Sequence, residues 1–212
     1  MPGRTFAIGD IHGELGHLVA LLAQLPPLET TDSIVFLGDY LDRGPDSRDV
    51  IDFLRDFPSH TPARVVCLRG NHEDAWLRVI HGGWDEFVFP PANGCLATVR
   101  SFLKDQPAAH NQDANTVEML ALTTGSFFPP EVVAWLQSLP LWHEDEHGIY
   151  VHAGLPPSAT GGFCHPSAVE NPLALIWLRK DAFIRHYVGK HVVFGHTPVT
   201  LLPQELSGFT PD

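Results

Sequence analysis

Five short blocks in this 212-residue chain combine glycine with carboxylate, amide and imidazole side chains. They are Gly9-Asp10-Ile11-His12-Gly13, Gly38-Asp39-Tyr40-Leu41-Asp42-Arg43-Gly44, Arg69-Gly70-Asn71-His72-Glu73, His152-Ala153-Gly154 and Gly195-His196-Thr197-Pro198. Each follows a short apolar run of β-like composition: Thr5-Phe6-Ala7-Ile8, Ile34-Val35-Phe36-Leu37, Val65-Val66-Cys67-Leu68, Ile149-Tyr150-Val151 and Val192-Val193-Phe194. Strands that end in glycine plus Asp, Asn or His place oxygen and imidazole ligands along one rim of a sheet. Such a rim suits a pair of divalent cations, and the chemistry it points to is metal-assisted hydrolysis. A lone Asp or His at a turn is ordinarily a cap or a surface residue; the same types repeated at the ends of successive strands form a constellation. The donor mix is neither soft nor wholly hard, which favours Mn, Fe or Zn over Ca.

The elements that must position these blocks are legible in outline. After the first strand comes an amphipathic run, Leu15 to Leu25, stopped by Pro26-Pro27. After the second comes Ser47 to Phe57, opened by Pro45-Asp46-Ser47 as a capping signal and ended by Pro58. After the third comes Glu73 to Ile80, ended by Gly82-Gly83. This βαβαβα alternation predicts a mainly parallel sheet with the active loops at the strands' carboxyl ends. The middle, 94–139, is mostly helical in pattern, with Cys95–Leu103 and Pro130–Leu139 the clearest helices and Thr124-Gly125-Ser126 a break. Gly-Ile-Tyr-Val-His and His-Val-Val-Phe-Gly-His in the second half read as strands of a second sheet.

Composition narrows the function. The chain is the size of one domain, 1–212, and its 44% apolar and 18% charged content suits a globular, soluble protein. With 25 Asp and Glu against 13 Lys and Arg, it lacks the basic stripe expected of a nucleic-acid-binding surface. Cys67, Cys95 and Cys164 show no metal or disulfide spacing, which suits a reducing compartment. Met1-Pro2-Gly3-Arg4 runs at once into the first strand, leaving no room for a signal peptide, and no apolar stretch approaches the ~20 residues of a membrane span. The expectation is a cytoplasmic protein.

The five blocks, in this order and over Phe6 to Pro198, resemble the phosphoprotein phosphatase family of the calcineurin-like metallophosphoesterases, its bacterial and phage members in particular. Asn93-Gly94 leading to Thr98, and Ile176-Trp177-Leu178-Arg179, are similar to that subgroup as well. The resemblance implies an α/β fold of two packed mixed β-sheets flanked by helices. It implies two divalent metal ions, with Mn as first choice and Fe or Zn as alternatives. Asp10 and His12 would bind metal 1, Asp39 would bridge, and Asn71, His152 and His196 would complete metal 2. A hydroxide shared by the cations would attack phosphorus. His72 would protonate the leaving alkoxide, with Asp42 orienting it. Arg43, Arg69 and Arg179 would clamp phosphate oxygens, because guanidinium forks match phosphate geometry. The implied substrate is a phosphoprotein or phosphopeptide carrying phosphoserine or phosphothreonine, with phosphotyrosine as a further candidate. The alternatives are a dinucleoside polyphosphate hydrolase on the same core, or a catalytically weak binding or regulatory protein. Relatives continue past Gly-His-Thr-Pro into an Asp-Thr-Gly strand and a closing hairpin, whereas this sequence ends at Phe209-Thr210-Pro211-Asp212. The expectation is a sandwich whose C-terminal strands are missing, with an open sheet edge and a weaker metal site beside His196.

One further motif competes for metal. His143-Glu144-Asp145-Glu146-His147 satisfies H-E-x-x-H, which on a stable helix makes a zinc-protease site. Pro140 lies just before it, Gly148 opens a strand just after it, and the five residues offer no apolar face. A solvated turn is expected there.

Overall fold

The structure, a computed structural model, describes residues 3–103, 113–179 and 181–202; the expectation about the end of the chain falls on 203–212, outside the described residues. Strands β1 (Thr5–Ile8), β2 (Ser33–Phe36) and β3 (Arg64–Cys67) pair in parallel in the order β1-β2-β3, with Phe6 opposite Ile34 and Ile34 opposite Val65. A parallel strand covered on both faces reads as an unbroken apolar run, and Ile34, Val35 and Phe36 are all 0% exposed. Side chains alternate along such a strand. Ile34 and Phe36 enter a core with helices α1 (Leu15–Leu22), α2 (Ser47–Asp56) and α3 (Asn71–Gly82). Val35 and Leu37 turn the other way, onto Tyr150 and Val193.

Those two residues belong to a second sheet, in which β4 (Trp142–Glu144) runs antiparallel to β5 (Ile149–Val151) and β5 runs parallel to β6 (Val192–Val193). Its far face packs Ile149 and Val151 against Leu175, Ile176 and Phe183, carried by α8 (Ala174–Trp177) and α9 (Asp181–His186). The result is helix, sheet, sheet, helix, the layering that the resemblance implies. Among the described residues, four more α-helices lie between the sheets in sequence: α4 (Asp85–Val88), α5 (Cys95–Phe102), α6 (Thr116–Thr124) and α7 (Pro130–Ser138).

Local chemistry explains most boundaries. Sequence patterning gives α6 no bounds of its own within the helical middle, yet Asn115 caps it by accepting from Val117 and Glu118 N–H while Glu118 reaches back to Asn115 N–H, and Gly125 ends it at φ +62°. Asp46 precedes α2 as expected but makes no side-chain cap; its backbone N–H donates to Gly13 carbonyl, which ties α2 to the first loop. The H-E-x-x-H segment is only partly a turn. His143 and Glu144 extend β4 because they pair with Tyr150 and Ile149, and the His143 ring lies 6.0 Å from that of Tyr150. The chain then reverses with Asp145 N–H donating to Gly148 carbonyl.

Candidate metal centre and catalytic rim

The loops after β1, β2 and β3 leave the same rim and are laced together. Ile11 and His12 N–H both donate to Asp39 carbonyl (2.9 and 2.8 Å), and Gly44 N–H donates to His12 carbonyl (2.8 Å). Glu73, fully buried, accepts the N–H groups of Asp39, Tyr40 and Gly70, each at 2.8 Å. Burial and the neighbouring Asp39 charge push Glu73 up to about 7, against the pull of those three donors. Gly70 is required by close approach, since a Cβ there would collide with Asp39 Oδ1 and its backbone N. The described non-glycine residues with positive φ are His12, Asp39, Asp42, Arg43 and His196. Every one is a predicted site residue. Such backbone costs on the order of 1–3 kcal/mol per residue and persists where the surroundings over-determine it.

Asp39 stands at the centre. Its Oδ2 lies 3.6 Å from His12 Nε2 and 3.9 Å from His72 Nε2, and its Oδ1 lies 3.4 Å from His152 Nε2. Two sets of potential ligand atoms share it, one with His12 and His72 and one with His152 and His196, each set within 4.8 Å. Asn71 Oδ1 lies 3.0 Å from His152 Nε2 and 2.7 Å from His196 Nδ1. Asp10 accepts His196 N–H at 3.0 Å and lies 4.0 Å from His12 Nε2. The six residues expected to hold metal are thus brought together, and a Cβ at Gly195 would strike Asp10 Oδ1.

Divalent metal fits this donor set. His12 Nδ1 donates to Leu41 carbonyl at 2.8 Å and His152 Nδ1 donates to Leu37 carbonyl at 2.9 Å, so each ring turns Nε2 toward Asp39, the arrangement of ligating histidines held by a backbone acceptor. His12 Nε2 is buried with no hydrogen-bond partner, and an orphaned buried polar atom demands an explanation. Burial lowers the His12 pKa, favouring the neutral ring. For His152 burial also works downward, but Asp39 outweighs it and lifts the group to about 9. His196 is pushed down to about 3 by burial and by the nearby His152 and Arg179. Asp39 stays below the usual carboxylate range: burial opposes the charge, and the surrounding imidazoles, His152 first, more than offset it.

Beside this cluster sits the expected acid pair. His72 Nδ1 donates to Asp42 Oδ2 at 2.6 Å, and the ring packs edge-on to His12 and Phe87. Asp42 is fully buried and also accepts Trp76 Nε1 (2.9 Å) and Thr98 Oγ1 (2.6 Å). Its own N–H donates to Thr98 Oγ1 and Ser47 Oγ. Burial lowers the charged form of His72, but the Asp42 bond and the Asp39 charge win, so its pKa is raised. The sequence reading gives Trp76 and Glu73 no role, and Ser47 only one in a helix-capping signal. The signal for Trp76 was present: it lies one helical turn beyond His72, where residues share a face. The Asn93-Gly94 stretch leading to Thr98 carries the resemblance without showing what it does. Thr98 holds Asp42, and Gly94, at φ +75°, accepts Arg43 N–H.

The three arginines differ. Arg43 is exposed at the rim, and Arg179 Nε donates to His196 Nε2 at 2.9 Å. Arg69 points elsewhere: its guanidinium donates to Gln137 carbonyl at the end of α7 (2.6 Å), with Nε buried and unpartnered.

Comparison with known proteins agrees with this fold. The model of a family described as calcineurin-like phosphoesterase matches residues 3–210. The serine/threonine-protein phosphatase 4 catalytic subunit of Kluyveromyces lactis is 39% identical over 80 residues, 38% of this chain and 26% of that protein. Its Saccharomyces cerevisiae counterpart is 38% identical over the same length and shares. The chain therefore spans 26% of the length of these curated relatives. A crystal structure described as a "putative diadenosine tetraphosphatase" superposes with a TM-score of 0.52 at 19% identity, covering 92% of this chain and 76% of that one. A cold-active protein tyrosine phosphatase gives 0.51 at 17% identity, covering 93% and 67%. At such identities these two likenesses show the fold alone.

Proposed function

The chain belongs to the calcineurin-like phosphoesterase family, and we propose that it is a two-metal phosphomonoesterase acting on phosphoserine and phosphothreonine in proteins, with phosphotyrosine as a further substrate. The observation that carries this reading is the buried His72–Asp42 pair at 2.6 Å beside an Asp39 shared by two ligand sets. Asp10, His12, Asp39, Asn71, His152 and His196 would hold the two cations, of which Mn is the first choice and Fe or Zn the alternatives. When bound, divalent metal supplies Lewis acidity toward phosphoryl oxygen and acidifies water.

The remaining work falls to side chains of this protein. A serine or threonine alkoxide is a poor leaving group and needs a proton. Against the downward pull of burial, Asp42 and the Asp39 charge raise the His72 pKa and favour the protonated ring, which offers Nε2 as the donor once Nδ1 is committed to Asp42. Trp76 and Thr98 keep Asp42 in place. Arg43 and Arg179 would bind phosphate oxygens, whereas Arg69 would have to leave Gln137 carbonyl to join them. A phosphoprotein substrate is favoured by the named relatives over the 80 matched residues. The cysteine pattern supports a reducing compartment, and the proposed location is the cytoplasm; among the described residues no helix is long and apolar enough to cross a membrane.

The test is Mn-dependent phosphate release from a phosphoserine peptide, compared with a dinucleoside tetraphosphate and an aryl phosphate. Preference for the peptide is expected. Turnover of the tetraphosphate alone would move the assignment to anhydride hydrolysis. Metal binding with no turnover of any of the three would make this a binding protein.

A further inference from the structure

Helix α3 carries Asn71 and His72 in its first turn and Asp74 two residues on. Helix α8 ends at Trp177, two residues before Arg179. The two helices meet through one carboxylate oxygen: Asp74 Oδ2 accepts Trp177 Nε1 at 3.0 Å and Arg78 Nη2 at 2.8 Å. The Arg78 guanidinium lies over both Trp84 and Trp177, 5.0 and 5.6 Å from their ring centres. Phe87 stacks on Trp84 and touches the edge of His72, so this aromatic group runs up to the acid residue itself. On its other side α8 is held by Leu175 carbonyl, which accepts the N–H of Ala153, next to His152, at 2.8 Å. Past Trp177 the chain leaves the helix at Leu178 (ψ 130°), and Arg179 reaches His196.

We propose that Trp177 and Asp74 are positioning residues for Arg179: their hydrogen bond fixes the guanidinium relative to His72 and so sets the affinity for phosphate. The segment that delivers Arg179 is pinned at both ends, to α3 and to the loop of His152, so loosening one pin displaces a side chain two residues away. This inference rests on the reading of Arg179 as a phosphate contact. It gives the Ile-Trp-Leu-Arg motif a division of labour in which the tryptophan aims the arginine.

Trp177→Phe tests it, because an aromatic ring is kept in the cluster with Arg78 while the N–H donor is lost along with part of the indole surface. In the full chain without metal, the Arg179 Nε–H resonance should move toward that of a free arginine. In the Mn-loaded chain, the dissociation constant for inorganic phosphate should rise roughly 3–10-fold, the worth of one hydrogen bond, with KM for a phosphopeptide rising more than kcat falls. In an Arg179→Gln background the same substitution should change phosphate binding no further. Asp74→Ala removes the acceptor instead and should give the same shifts, which decides the matter if Trp177→Phe fails to fold. An unmoved Arg179 resonance, or equal losses with and without Arg179, would overturn the proposal. If the unaltered protein binds no phosphate, the proposed function falls, and the resonance alone still decides whether Trp177 places Arg179.

Discussion

The two sheets contribute to the metal centre in different ways. Around the first, the loops hold one another: Asp39 carbonyl binds the Asp10–His12 loop, and Glu73 binds the Asp39–Tyr40 backbone. Four of the five described non-glycine residues with positive φ lie there, and their strain is offset by that lacing. Around the second sheet, the supports come from across the site. The strand before His196 is two residues long and pairs only with β5 among the described residues. The His196 backbone rests on Asp10, and its ring on Asn71 and Arg179. The second rim takes its geometry from the first.

Asp39→Asn should break this arrangement most, because Asp39 is the carboxylate that faces ligands from both sheets. Metal content should fall by at least one ion per chain. Since metal ions contribute several kcal/mol of charge stabilisation, turnover should drop by roughly 10³-fold or more. Elemental analysis together with steady-state rates checks both, and two retained ions at near-normal rate would show that Asp39 is not shared.

His72→Ala confines the damage to the first rim. Phosphoserine hydrolysis should slow by roughly 10²–10⁴-fold, the usual worth of a placed proton donor, while metal content stays. Aryl phosphates, whose leaving groups need less protonation, should lose less. Equal losses on both substrates would make His72 a structural or metal-holding group, as its 3.9 Å approach to Asp39 allows.

Thr98→Val sharpens the comparison further. It removes one hydrogen bond to a fully buried carboxylate, at a cost of about 2 kcal/mol, and should lower Tm by roughly 4–8 °C in a chain of this size. Its catalytic loss should be smaller than that of His72→Ala, because Trp76 still holds Asp42. A thermal melt and a phosphoserine rate suffice; an unchanged Tm would mean that Ser47 or water replaces the lost partner.

How much of this could be seen beforehand follows the same division. The first sheet and its loops were legible because unbroken apolar strands alternate with amphipathic helices and each loop motif is contiguous. His72 and Asp42 were legible as types, each inside a block. What sequence could not show is convergence from far along the chain: Thr98 onto Asp42 across 56 positions, or Trp177 onto Asp74 across 103. The direction of Arg69 was equally hidden, since a motif fixes where its backbone stands but not which carbonyl captures its guanidinium. Helix α6 had no bounds of its own within the helical middle because its exposed face carries Val117 and Leu120, which blurs the periodicity, although Asn115 and Gly125 marked both ends.

The smallest effect should come from the H-E-x-x-H segment, which belongs to neither rim. His143 lies in β4 against Tyr150, whereas His147 Nε2 bonds to Gly3 carbonyl at 2.7 Å and so fastens the hairpin to the start of the chain. Their roles are separate, and neither joins a set of potential metal ligands among the described residues. Replacing both by Gln should therefore leave metal stoichiometry and phosphatase rate at wild-type values. The lost bond to Gly3 contributes about 0.5–1.5 kcal/mol, so a small fall in Tm is the expected trace. Loss of one bound metal ion per chain would expose a third site on the hairpin and end the claim that metal chemistry is confined to the rims.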